Sequence, residues 1–143
     1  PMQEQETMVK PVTKRVLYID DEPDLQLIVK TCLQTLGGWE VEVAKSGTEG
    51  LVKAEELKPD AIILDVIMPD MDGVACLQKL KLNVKTQAIP VVFLTSRWNI
   101  TQGYEFSSLG AVGAIAKPFN ALTLVPQIAK FLGWNQENSN ALN

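Results

Sequence analysis

The 143-residue chain has no histidine, two cysteines and no long apolar run, and each shortage removes a class of function. Without histidine, the thiols of Cys32 and Cys76 are too few for a structural zinc site. Both fall on apolar faces of predicted helices, so they read as core thiols rather than a disulfide, in keeping with a reducing cytosol. No apolar stretch approaches the roughly 18 residues of a membrane span, and no signal peptide is visible. The expectation is a cytoplasmic protein without membrane contact. Net charge is −4 with no basic run, so the electrostatic footprint of direct nucleic-acid binding is missing. What is present, 46% hydrophobic and 21% charged residues, suits one globular domain.

Residues 1–13 are polar and aperiodic and read as a flexible arm, with Pro1 ahead of Met2 taken as an expression remnant. The core domain is expected over 14–133 and a tail over 134–143. Within the domain, Arg15 to Ile19 is a buried-strand run ending in Asp20-Asp21-Glu22-Pro23. Leu25, Ile28, Val29, Cys32, Leu33 and Leu36 follow at helical spacing until Gly37-Gly38. Trp39 to Ala44 alternates as a second strand, and Ser46-Gly47-Thr48-Glu49 is a capping-box pattern opening a second helix. Ala61-Ile62-Ile63-Leu64 is apolar on both faces, fits a central strand and delivers Asp65 to its end. A loop through Pro69 and Gly73 leads into a helix reaching about Leu82. Val91 to Leu94 forms the fourth strand, ending at Thr95-Ser96. Asn99 to Leu109 is the weakest helical pattern, and Ala114-Ile115-Ala116 is a fifth strand ending in Lys117-Pro118-Phe119. Pro126 argues for a last helix that starts late, with Thr123 as its N-cap.

Five strands alternating with five helices imply a parallel sheet covered on both faces, with right-handed crossovers. In such a sheet, ligands sit beyond the carboxyl ends of the strands. Those ends present Asp20-Asp21, Asp65, Thr95 and Lys117. Three carboxylates within ~4 Å repel at about 4 kcal/mol per pair at an effective dielectric of 20, which a proton or a cation relieves. Oxygen ligands without Cys or His point to Mg²⁺. Three negative charges are then balanced by Mg²⁺ and Lys117, an arrangement suited to a phosphoryl group whose oxygens metal and ammonium neutralise while a carboxylate attacks. Taken singly, the acids suit helix capping, Thr95 or Ser96 a cap, and Lys117 a solvated surface. Together, in this order at successive strand ends, they exceed what capping supplies.

The stretches L-Y-I-D-D-E-P, L-D-V-I-M-P-D-M-D-G, F-L-T-S and A-K-P-F resemble the receiver domain of two-component response regulators, over roughly Lys14 to Leu132. The resemblance implies a CheY-like, flavodoxin-like (βα)5 fold, a doubly wound five-stranded parallel sheet of order 2-1-3-4-5. It implies phosphotransfer from a histidine kinase or histidine phosphotransfer protein to Asp65. Asp20, Asp21, Asp65 and the backbone carbonyl of Ile67 would hold Mg²⁺, and Thr95 and Lys117 would contact the phosphoryl oxygens. Lys117-Pro118 would be a cis peptide. By the same likeness Ile67 and Arg97 flank the path of the hydrolytic water and set the phosphoryl lifetime. Output would pass through the face of the fourth helix, fifth strand and last helix to a downstream protein or a second copy of the chain. No turnover beyond self-phosphorylation and self-dephosphorylation is implied.

One departure stands out. The family usually carries Tyr or Phe three residues before the lysine, where this chain has Ala114. Trp98, Tyr104 and Phe106 are the nearby aromatics that either replace it or serve ordinary packing. Two other readings share parts of the site. A haloacid-dehalogenase-type phosphatase also uses Asp and Mg²⁺ but wants D-x-D on the first strand, where this chain has D-D-E. A phosphate-independent scaffold needs none of this chemistry. No effector segment is recognisable after residue 133, which fits a stand-alone receiver or a piece of a larger regulator.

Overall fold

The computed structural model describes residues 13–102 and 105–134. Its strands are β1 (Arg15–Ile19), β2 (Glu40–Ala44), β3 (Ala61–Leu64), β4 (Val91–Thr95) and β5 (Gly113–Ala116). The helices are α1 (Pro23–Gly37), α2 (Gly47–Leu57), α3 (Gly73–Leu82), α4 (Trp98–Thr101), α5 (Glu105–Ser108) and α6 (Ala121–Leu132). All strand pairs are parallel, in the expected order β2-β1-β3-β4-β5. The central strand β3 has four residues, all buried.

Strand alternation divides the core between the two sheet faces. Leu17, Ile19, Ile62, Leu64 and Phe93 join Ala54, Cys76, Leu77 and Leu80 on the α2–α3 side. Val16, Tyr18, Ile63, Val92, Leu94 and Ile115 meet Val29, Leu33, Leu124, Val125 and Ile128 from α1 and α6 on the other. Cys32 and Cys76 are buried free thiols, as expected. Register then sets the site. Ile19 stands opposite Leu64, so the residues after them, Asp20 and Asp65, leave neighbouring strands side by side. Thr95 pairs with Ala116, which brings Lys117 to the same edge.

Local signals account for most element ends. Pro23 occupies the first turn of α1, and Gly38 closes that helix at φ +70°, a left-handed conformation glycine adopts without steric cost. Ser46 caps α2 by accepting from the Glu49 amide at 3.0 Å.

Two expectations require correction. The last helix does not begin after Thr123. It begins at Ala121, capped by Asn120 Oδ1 accepting from the Leu122 amide at 2.9 Å, and Pro126 lies within it. Pro126 and Leu122 are both exposed, so water can take the bond that proline cannot donate to the Leu122 carbonyl. Leu124, Val125, Ile128 and Ala129 meanwhile bury a continuous face. The helix expected over 99–109 is, among the described residues, two single turns. Gln102 adopts an extended conformation and Gly103 follows, and only Ile100 and Phe106 anchor the two turns in the core.

The edge strand β5 carries a further device. A Cβ on Gly113 would stand 2.2 Å from the Phe131 ring, so glycine is what lets α6 close over the sheet edge. There Phe131 meets Phe106 edge-on at 6.0 Å between ring centroids. Just past the end of α6, Trp134 packs edge-on against Trp39, the residue before β2, with centroids 5.0 Å apart. Residues 1–12 and 135–143, where the arm and most of the tail were expected, lie outside the described residues.

Candidate functional site

At the carboxyl edge Asp20, Asp65 and Thr95 are the buried polar side chains, and Asp21 is half-buried beside them. Carboxylate oxygens of Asp20, Asp21 and Asp65 lie within 4.8 Å of one another. The Lys117 ammonium closes the cluster, 2.9 Å from Asp20 Oδ2, 3.4 Å from Asp65 Oδ2 and 3.5 Å from Glu22 Oε1. The Lys117-Pro118 peptide is cis, as the resemblance implied.

Asp65 is held from the backbone outward. Its amide donates to the Ile19 carbonyl at 3.0 Å, continuing the ladder, and its Oδ1 accepts from the Ile67 amide at 3.4 Å. Gly73 lets the following loop fold back, because a Cβ there would lie 2.2 Å from the Asp65 carbonyl oxygen. Burial pushes the Asp65 carboxyl up from 3.8 to about 6; Asp20 adds to the rise, while Lys117 and the Ile67 amide oppose it. Burial disfavours the Lys117 ammonium. The hydrogen bond and charge of Asp20, with Asp65 and Glu22, nevertheless carry its pKa above the ordinary lysine value.

Thr95 stands at the end of β4, fully buried, and its Oγ1 accepts from the Arg97 amide at 3.1 Å. Its backbone carbonyl accepts from the Lys117 amide at 2.9 Å. The fold therefore gathers Asp20, Asp21, Asp65 and Lys117 into one cluster and seats Thr95 at the next strand end. Ile67 and Arg97 lie at its rim, both exposed. Of the aromatics weighed as replacements at position 114, Trp98 is exposed, Phe106 is buried against Phe131, and Tyr104 lies outside the described residues.

The donor set fits a magnesium ion. All candidate ligands are oxygens, and opposite oxygens around octahedral Mg²⁺ lie about 4.2 Å apart, so a span of 4.8 Å needs only small side-chain adjustments.

Two supporting residues escaped sequence reasoning. Tyr18 donates its phenol to Asp20 Oδ2 at 2.5 Å. Burial, then the Asp20 hydrogen bond and charge, push its pKa far above the ordinary tyrosine value, leaving a neutral donor. A phenol inside an apolar strand run was the available signal, since buried Tyr hydroxyls find partners. Asp70 accepts from the amides of Gly47 and Thr48 at 3.2 and 3.0 Å and from the Thr48 hydroxyl at 2.9 Å. It thereby ties the loop after β3 to the first turn of α2. No sequence signal joins residues so far apart.

Known proteins bear on this geometry. The family model described as the response regulator receiver domain matches residues 16–129. The transcriptional regulatory protein TrcR of Mycobacterium tuberculosis is 37% identical over 119 residues, covering 82% of this chain and 45% of TrcR. The chain spans about half the length of the curated regulators it matches. The structure of CheY4 of Vibrio cholerae aligns with TM-score 0.76 and 32% identity over 84% of this chain and 99% of that one. The receiver domain of the sensor histidine kinase PA1611 of Pseudomonas aeruginosa aligns with TM-score 0.73 and 25% identity, over 85% of this chain and 99% of that one. That structure has a magnesium ion coordinated in its active-site cleft. With the family model spanning nearly the whole sheet and its helices, this chain belongs to the response regulator receiver domain family.

Proposed function

We propose that Asp65 is the phosphoacceptor of this receiver domain, taking a phosphoryl group from the phosphohistidine of a histidine kinase or histidine phosphotransfer protein. The observation that carries the reading is the three-carboxylate cluster with the Lys117 ammonium between Asp20 and Asp65. An ionised Asp65 oxygen attacks phosphorus in line, the phosphorus–nitrogen bond breaks, and its electron pair returns to the donor imidazole. Lys117 is placed to neutralise phosphoryl oxygens as Asp65 loses its own negative charge. Thr95 turns its hydroxyl from the Arg97 amide toward the same oxygens. Asp20, Asp21, Asp65 and the Ile67 carbonyl would hold Mg²⁺, which supplies charge neutralisation at the transferring group. An open groove of about 570 Å³, lined by Leu25, Ile28, Lys117, Pro118 and Phe119, adjoins the site and offers the donor protein an apolar seat.

A phosphoryl group raises the charge at position 65 from near −1 to near −2 and adds acceptor oxygens. This biases the face made by α4, α5, β5 and α6 between two arrangements and changes its affinity for a downstream protein or a second copy of the chain. The module works in the cytoplasm as a signalling domain, with only self-phosphorylation and self-dephosphorylation chemistry.

Intact-mass measurement after exposure to acetyl phosphate and Mg²⁺ tests the assignment. One phosphoryl adduct on the wild type, absent from Asp65→Asn and from samples with EDTA, is expected. An adduct surviving in Asp65→Asn refutes the acceptor assignment. Sustained turnover of a general phosphomonoester would favour the phosphatase reading, and a wild type that takes no adduct the scaffold.

A further inference from the structure

We propose that Tyr18 is a positioning residue of this site, its hydroxyl orienting Asp20 toward the cation and Lys117. The inference rests on the magnesium and phosphoacceptor reading above.

Tyr18 lies in β1 and Asp20 two residues on, one past the strand's end with its amide still donating to the Ala44 carbonyl, so both side chains leave the sheet on one face. The ring is fully buried among Val16, Leu33, Ile63 and Leu124, where an aliphatic side chain or phenylalanine would meet the packing requirement alone. The hydroxyl is therefore the part that packing does not explain. A hydroxyl buried without a partner is costly, and this one has Asp20 Oδ2 at 2.5 Å.

Asp20 has four donors around it. The Glu22 amide donates to Oδ1 at 3.0 Å, Lys117 Nζ to Oδ2 at 2.9 Å, Tyr18 to the same Oδ2, and Gln26 Nε2 to the backbone carbonyl. Two side-chain donors thus occupy Oδ2, while Oδ1 carries one backbone donor. A carboxylate offers about four lone-pair positions, so the spare capacity is biased toward Oδ1. Rotation of the carboxylate breaks the Tyr18 bond, and a displaced Asp20 carries Lys117 away from its place 3.4 Å from Asp65. Being neutral, the phenol imposes this orientation without disturbing the balance of three carboxylates, one ammonium and a divalent ion. Outer hydrogen bonds of this kind hold metal ligands in place.

Tyr18→Phe removes one oxygen and keeps the ring. Magnesium titration calorimetry on both proteins, with thermal unfolding in EDTA, separates positioning from stability. The expected result is roughly tenfold weaker Mg²⁺ binding in Tyr18→Phe, with little change in the EDTA melting temperature. The Tyr18 ring-carbon NMR signal of the wild type should also move on adding Mg²⁺. Equal or tighter Mg²⁺ binding by Tyr18→Phe, or a lower melting temperature with equal affinity, overturns the inference while leaving the receiver reading standing. A wild-type ring signal that Mg²⁺ does not move overturns it without recourse to the variant. A wild type that binds no Mg²⁺ at all overturns both.

Discussion

Where β1, β3 and β5 end, Asp20, Asp65 and Lys117 are tied by contacts of 2.9 and 3.4 Å, and Tyr18 braces them from the core. Where β4 ends, the chain leaves Thr95 through two single helical turns, anchored by Ile100 and Phe106. Neighbouring Ala114 is a small side chain where relatives of this type usually place a ring. The first region is preorganised around charge, and displacing any member leaves a buried polar group in need of a new partner. The second has few buried apolar contacts, so local rearrangement there costs little. The contrast suits the proposed switch, in which the acceptor region holds its geometry and the region beyond β4 rearranges.

The largest effect is expected where the responsive region is clasped. Gly113→Ala drives a Cβ into the Phe131 ring and should destabilise the fold by about 2 kcal/mol, measured by urea unfolding. Phe131→Ala in the Gly113→Ala background should recover part of that loss. Full additivity of the two changes would mean that Phe131 does not clasp the edge strand.

Next comes the preorganised side. Because burial raises the Asp65 pKa to about 6, the folded state binds more protons than the unfolded state between pH 4 and 6. Stability therefore falls as pH rises through that window in magnesium-free buffer, and the ionised group costs stability above it. Asp65→Asn should be more stable than wild type at pH 7 by a margin on the kcal/mol scale that shrinks as pH falls toward 4. Equal stability at both pH values would show that Asp65 is not held against its charge.

The smallest effect concerns the rim. Ile67 is exposed and apolar two residues past Asp65, a position from which it would hinder an approaching water. Ile67→Asn should shorten the lifetime of the phosphorylated protein several-fold, on the order of 1 kcal/mol in the barrier, read by loss of the adduct with time. An equal or slower decay would remove Ile67 from control of the lifetime.

Much of this was legible in the order of residues. Apolar runs ending in Asp20, Asp65, Thr95 and Lys117 state the strand positions and the chemistry, because a parallel sheet must bring those ends to one edge. Sequence reasoning went astray over Pro126 and over residues 99–109, and for related reasons. Proline's penalty is local, but α6 tolerates it because the missing bond falls on the solvent side of a helix whose other face is buried. A weak apolar period between residues 99 and 109 cannot say whether one helix or two turns will use it.

The chain's own order of residues determined the strand count and the acidic and basic members of the site, because these depend on spacing along the backbone. Only the tertiary structure decided that a core tyrosine braces Asp20, that Asp70 ties a loop to a distant helix and that Phe131 covers Gly113. Those relations join residues on different elements or pick one partner among several, and hydrogen bonds and ring contacts acquire partners only once the sheet register is set.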